Sequence, residues 1–409
     1  MKEKSNFKKF LLLWTGELIS SVGGGLTSFG LGVYVFEKTG SAASMALVTL
    51  LGFLPTLLLS VPAGALADRY DRRLLMMIGD GCSALGIIYI FICMMGKGAT
   101  LAQICIGVFI SAVFSALLEP AFRATITDLL TKDEYSKASG LVSLAGSARY
   151  LFSPVIAGFL LAVSDVKLLL IIDIATFFLT VISTAIVRKG LGTKVSEKKE
   201  ALLKSIKEGW KVLSDKKGVL LLVLVSSGIT LFMGMFQILA EPMILSFSDA
   251  GTLGVAETVC ATGMLASGII LGIKGLKGHY VRTLGFSLAL AGLFMLGFGV
   301  TEKIILICIF GFLFFSALPF ANNCLDYLMR TNVPDEVQGR AWGMIGFLSQ
   351  LGYVVAYAVS GTAADMIGKI SGRGVGKGSA TVIMIAGICM AVTALMIMLP
   401  KSINELENT

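Results

Sequence analysis

The chain has 409 residues, of which 56% are hydrophobic and only 15% charged, with a formal net charge of +8. A soluble domain is nearer one-quarter charged, and a mean hydropathy of +0.86 leaves more apolar surface than a soluble protein of this size could hide. That excludes an ordinary soluble domain and argues against nucleic-acid binding; the positive balance reads as membrane topology and contact with anionic lipid.

A helix needs about 20 apolar residues to cross a hydrocarbon core. In chain order, such runs fall near 10–36, 43–67, 74–96, 100–128, 136–163 and 166–187, then near 218–246, 250–275, 280–300, 303–332, 338–368 and 378–399. They are too long and too continuous for the alternating strands of a membrane barrel. The expected fold is therefore an all-α integral membrane protein. Its twelve transmembrane helices form two pseudo-symmetric six-helix bundles, at 1–187 and 218–409. The stretch 188–217 reads as a cytoplasmic linker, in which Leu202, Ile206, Trp210 and Leu213 recur among lysines as an amphipathic helix lying on the inner membrane face. Most of the 34 Lys and Arg fall in segments that share one side when both termini are inside. The expected location is a bacterial-type plasma membrane. Phe10 onward reads as the first span, with no cleavable signal.

The two halves repeat. At an offset of 203, Asp133 meets Glu336, Ala138 meets Ala341, Gly140 meets Gly343, Tyr150 meets Tyr353 and Gly158 meets Gly361, and Pro120 and Pro319 precede this stretch in each half. Two such repeats can rock about a site between them, as in many transporters. Seven cysteines lie in apolar spans without a CxxC pair and read as buried thiols. The single His279 cannot build a zinc site. No cofactor or metal is expected, and no nucleophile–base constellation suggests an enzyme. The run Gly372–Ser379 has a phosphate-loop look but lacks the required spacing; it is expected to be a flexible basic loop.

The second span ends Gly64-Ala65-Leu66-Ala67-Asp68-Arg69-Tyr70-Asp71-Arg72-Arg73. This resembles the signature of the major facilitator superfamily between its second and third helices. With Asp71 where the usual pattern has Gly, it looks like the drug-exporter branch that includes macrolide efflux and enterobactin export proteins. The resemblance extends over nearly the whole chain, through Trp14, Pro55, Pro120–Gly140 and Ser153-Pro154…Gly158. It implies a monomeric transporter whose motif latches an inner gate. Carried over, Asp68 would face the start of span 11 near Gln338, and Arg72 or Arg73 would reach Asp128. The latch residues would be Gly64, Asp68, Arg69, Arg72, Arg73 and Asp128. Physically, Gly64 would let two helices approach closely, and the arginines offer forked donors to carboxylates. Ser153, Pro154 and Gly158 resemble the antiporter motif, with Ser153 and Ala157 replacing two of its glycines.

Polar residues in a span usually face a cavity or another helix. Here they align at helical spacing: Glu17, Ser21, Gly24 and Ser28 in span 1; Ser111, Ser115, Glu119 and Arg123 in span 4; Ser227, Thr230, Gly234, Gln237 and Glu241 in span 7; Ser316, Pro319, Asn323, Asp326 and Arg330 in span 10. Spans 1, 4, 7 and 10 are expected to line a substrate cavity. Ordinary helix packing is the alternative, and the i, i+4 pairs Glu119–Arg123 and Asp326–Arg330 could simply neutralise each other. Glu17, Glu241 and Asp173 are the candidates for proton coupling. Gly23-Gly24-Gly25 could kink span 1 or allow close packing. The leading expectation is a secondary exporter of hydrophobic or amphipathic small molecules, macrolide-like and coupled to protons; the alternatives are a siderophore exporter or a lysolipid flippase on the same scaffold.

Overall fold

A computed structural model of the chain describes residues 6–96, 98–189, 210, 217–276, 278–333, 338–397 and 407, with the backbone alone at 217 and 338–340. The proposed amphipathic helix, apart from an exposed Trp210, lies outside the described residues, as does Glu336 of the repeat. Helices run α1 Phe7–Thr39, α2 Ala42–Arg69, α3 Arg72–Met95, α4 Leu101–Ser115, α5 Leu118–Leu129, α6 Tyr135–Val163 and α7 Val166–Arg188. They continue as α8 Lys217–Leu245, α9 Ala250–Lys274, α10 Tyr280–Val300, α11 Ile304–Asn332, α12 Gln338–Ser371 and α13 Gly374–Ile397.

Among the described residues, twelve helical stretches are long and apolar enough to cross a membrane. In lipid every backbone polar group must find its partner inside the segment, so an apolar run of this length has little choice but a helix. The expected spans and the observed helices agree closely. The fourth span differs by consisting of α4 and α5, which meet at a turn at Ala116 and Leu117. Pro120 has no N–H to return to the Ala116 carbonyl, and its ring crowds that turn. Pro319 sits inside an unbroken α11.

Loop ends carry their own caps. Asp71 accepts from the Arg73 N–H at 3.1 Å at the start of α3, Thr100 and Gln103 form a reciprocal box at α4, and Asp249 accepts from the Thr252 N–H at 2.7 Å at α9. These oxygens satisfy donors that a helix start leaves open. The expected flexible loop at Gly372–Ser379 is corrected: α13 already begins at Gly374. Gly372 and Gly374 take positive φ, 66° and 82°, to make the turn. A Cβ on Gly378 would lie 2.7 Å from the Gly368 nitrogen, so the glycines serve a close helix crossing rather than mobility. Lys377 of that segment pairs with Glu302 at 2.6 Å.

The chain divides into two compact units: Met1–Thr39 with Leu47–Lys198, and Gly40–Ala46 with Lys199–Thr409. Within the first, α1 packs on α6 and α7, and α3 on α4 and α7. Within the second, α8 packs on α12 and α13, and α10 on α11 and α13. The pairings are the same in order, as an internal repeat requires. One end of the first unit has an apolar core of Phe10, Leu13, Leu75, Met76, Phe122 and Leu129. The second is centred on Phe236, which stacks on Phe314 at 4.5 Å and meets Phe298 at 4.6 Å.

The second unit also holds the first turn of α2. Asp365 of α12 accepts from the Ser41 hydroxyl at 2.6 Å, the Ala42 N–H at 2.9 Å and the Ala43 N–H at 3.1 Å. A Cβ on Gly361, one turn earlier, would lie 2.6 Å from the Ala42 carbonyl oxygen, so only glycine lets the two backbones meet there. A carboxylate at a helix N-terminus is favoured by both the open N–H groups and the helix dipole.

Candidate functional site

The loop between α2 and α3 gathers charge in the first unit. Arg72 Nη1 donates to Asp128 Oδ1 at 2.9 Å and to the Ala124 carbonyl at 2.9 Å. Arg73, 4% exposed, reaches the other oxygen of Asp128 at 3.5 Å. Both arginines thus meet the one carboxylate at the end of α5. Asp71 caps α3 and accepts from Arg188 Nε at 2.7 Å. Asp68 is exposed and stands 3.9 Å from Arg72, Arg69 is exposed, and the side chain of Gln338 lies outside the described residues. Gly64 does not act as expected: a Cβ there would meet nothing within 4 Å. The buried face of α2 is made instead by its neighbours Ala63 and Ala67.

Between α1, α3 and α7 lies a group of acids that apolar helices enclose. Glu17 of α1 is half-buried. Asp173 of α7 and Asp80 of α3 are 1% and 3% exposed. The charges of Glu17 and Asp173 both act on Asp80. Asp173 accepts from the Thr176 hydroxyl at 3.5 Å, and Thr176, Thr180, Ser183 and Thr184 continue the buried polar face of α7. Sequence periodicity missed Asp80, because it stands alone in an apolar helix and belongs to no stripe. The available signal was its charge, since an ionisable group inside a span marks a functional position by default. Glu257 of α9 was missed for the same reason; its carboxyl acts on Glu241 of α8 in the second unit.

The glycines of span 1 leave α1 unbroken. A Cβ on Gly23 would lie 2.9 Å from Asp173 Oδ1, and one on Gly25 would lie 2.6 Å from Ser153 Cβ. Ser153 then ties α6 to α1 through the Val22 carbonyl at 3.0 Å. Pro154 and Gly158 are buried beside it. Gly24 points to open space, Ser21 is half-buried and Ser28 exposed.

Several expected cavity residues are engaged in helix packing. Ser115 shares a hydrogen bond with Ser83 at 2.9 Å. Thr230 donates to the Ser349 carbonyl and so joins α8 to α12. Gly234 lies against Tyr353 and Ala356. Gln237 accepts from Tyr357 at 3.3 Å. Glu119 pairs with Arg123 at 2.9 Å and Asp326 with Arg330 at 3.5 Å, all four exposed; Asn323 is exposed as well. Period identifies a face, and the second unit shows that α12 covers much of the one on α8.

Comparison with known proteins gives this geometry a context. Residues 13–357 match the family model of the Major Facilitator Superfamily. Macrolide efflux protein A of Streptococcus pyogenes is 28% identical over 386 residues, covering 90% of this chain and 92% of that protein. The staphyloferrin A transporter of Staphylococcus aureus (strain NCTC 8325 / PS 47) is 24% identical over 355 residues, 83% of each chain. A bacterial homologue of the iron transporter ferroportin, solved in an inward-facing state, aligns with a TM-score of 0.76 over 97% of this chain and 100% of that one, at 13% identity, which speaks to fold alone.

Proposed function

The chain belongs to the major facilitator superfamily, a multi-pass membrane transporter and not an enzyme, and from that premise we propose that it exports hydrophobic or amphipathic small molecules, of the macrolide or drug type, by alternating access coupled to proton antiport. The observation that carries the coupling is the enclosed set Glu17, Asp80 and Asp173. A bare carboxylate among apolar helices is unstable unless it is protonated, paired or wetted. A conformational change that alters which of these applies takes up or releases a proton. Arg72, Arg73 and Asp128 serve as the latch in this reading. Such a latch must be worth only a few kcal/mol, or the two states would not exchange. The similarity to a macrolide efflux protein supports the cargo class. Both termini face the cytoplasm of a bacterial-type plasma membrane, the protein works as a monomer, and its basic inner segments contact anionic lipid.

The similarity to a staphyloferrin A transporter favours a siderophore exporter as the second reading; lysolipid movement on the same scaffold is the third. One experiment separates them. Purified protein in proteoliposomes carrying an internal pH dye is given a pH gradient and offered macrolides, dyes, siderophores and lysolipids in turn. Proton flux that depends on one class of compound supports antiport and names that class. Cargo movement without proton flux overturns the coupling and demotes Glu17 and Glu241 to structural residues.

A further inference from the structure

Arg149 is a charge that the coupling set and the latch leave unused. It stands fourteen residues from each end of α6, Tyr135 and Val163, or about 21 Å from either by helical rise. Its guanidinium carries a charge at every working pH. Yet its side chain is exposed, and among the described residues it makes no ion pair within 4.0 Å and no side-chain hydrogen bond. Its charge acts on that of Asp173, which is 1% exposed and accepts from the Thr176 hydroxyl at 3.5 Å. A permanent cation at the depth of a span is costly against hydrocarbon and faces water or a ligand instead.

The local packing explains how it is held. Gly25 has no side chain, so the Arg149 stem crosses α1 there; a Cβ at Gly25 would lie 3.1 Å from Arg149 Cγ. Ser153, one turn along α6, fixes the crossing through Val22. Next to it, Gly24 leaves open space and Ser28 is exposed. A fixed, unpaired, forked donor therefore borders an open polar strip of α1 within the first unit.

We propose that Arg149 receives an anionic group of the transported amphiphile, a carboxylate or a phosphate, through a paired N–H···O contact of the kind a guanidinium forms with planar oxyanions. The inference rests on the exporter reading and narrows its cargo. Asp173 lies beyond ion-pair distance and does not neutralise the arginine, and the cargo's anion completes the pairing.

The test uses the full chain in proteoliposomes and four probes with one apolar body: naphthylacetate, naphthyl phosphate, naphthylmethanol and naphthylmethylamine. With each rate taken above that of protein-free vesicles, the wild type is expected to move the carboxylate or the phosphate faster than the alcohol and the amine. Arg149→Gln should slow the anions by about tenfold or more, since a charged hydrogen-bonded contact is lost, while the alcohol keeps its rate and so reports an intact fold. Arg149→Lys should recover only part, because a point charge lacks the fork. Preference for the carboxylate points to a free acid as cargo; preference for the phosphate points to a lipid headgroup. An equal loss for all four probes makes Arg149 a structural counter-ion of Asp173 and overturns the proposal. So does a wild type that prefers the amine, or one that moves macrolides or dyes but none of the four. If no compound of any class moves, the exporter reading itself fails. Should Arg149→Gln not fold, naphthylacetate binding to Arg149→Lys, read by fluorescence, should be about tenfold weaker; unchanged binding refutes the assignment.

Discussion

Arg188, the last residue of α7, donates from Nε to the Asp71 carboxylate at 2.7 Å, 117 residues back in the chain. Asp71 occupies the position where the usual family motif has glycine, and this acid both caps α3 and joins its start to the end of α7. Asp71→Ala removes the cap and the pair together and should lower stability by about 1–2 kcal/mol. Arg188→Gln removes only the pair, whose arginine is 41% exposed, and should cost under about 1 kcal/mol. Thermal unfolding in detergent orders the two; equal losses would show that the cap contributes nothing.

Asp128 answers two arginines, one of them almost wholly buried. Removing the acid leaves Arg73 without its counter-charge, and its Nε already lacks a partner. Asp128→Ala should therefore destabilise by about 3 kcal/mol or more. Arg72→Gln, which leaves the Arg73–Asp128 contact in place, should cost less stability yet slow transport. A transport rate unchanged in Arg72→Gln, measured in the same vesicles, removes this arginine from the latch.

Glu17→Gln keeps shape and hydrogen bonding but cannot release a proton. It should abolish pH-driven cargo movement while leaving cargo binding within about twofold of wild type. Asp80→Asn is the companion variant, since its carboxyl neighbours both Glu17 and Asp173. Full coupling in Glu17→Gln would shift the assignment to the other acids.

Asp249 lies outside the spans, at the start of α9, where the Thr252 N–H and hydroxyl hold its carboxyl below the ordinary range. A depressed value in the folded state means that its contribution is present above the ordinary value of about 3.9 and is lost as pH falls through the lower folded value. Asp249→Ala should cost about 1 kcal/mol at neutral pH, and the gap to wild type should close as the solution is acidified. Unfolding curves at several pH values check the sign; a gap that widens in acid contradicts it.

Asp365 offers a fifth handle, on the opening turn of α2. Asp365→Ala frees three donors, of which the Ser41 hydroxyl is one. Ser41 still caps from its own helix through Ser44 N–H at 3.1 Å, so the turn should persist while losing its hold on α12. Cysteine introduced at Ala43 should then react faster with an impermeant maleimide than in the parent carrying the same cysteine. Equal reactivity would mean that Gly361 packing alone secures the turn.

The spans were legible in the sequence because lipid leaves an apolar chain no alternative to the helix, and their ends were legible from the charges that mark them. The Arg72 and Asp128 neighbourhood was legible through the motif. What the sequence hid was coverage. Thr230 and Ser115 share a face with true cavity candidates by period, and only packing shows that their hydroxyls serve neighbouring helices. Arg188 was hidden because nothing local announces a partner so far away. Asp80 and Glu257 were hidden because each stands alone in an apolar helix, and a lone acid has no periodicity.

Gly86 and Gly107 meet backbone to backbone where α3 crosses α4: a Cβ on Gly107 would lie 2.6 Å from the Gly86 oxygen. Gly292 and Gly387 make a similarly close approach in the second unit, where α10 crosses α13, at 2.7 Å. Neither crossing has room for one more carbon atom. Under selection for a new cargo, variation at these four positions should be purged before it can be tried, whereas the open strip beside Gly24 tolerates change. Adaptation of the protein to a new compound is thus channelled by its packing to a few side chains, and the frame that carries them is inherited unchanged.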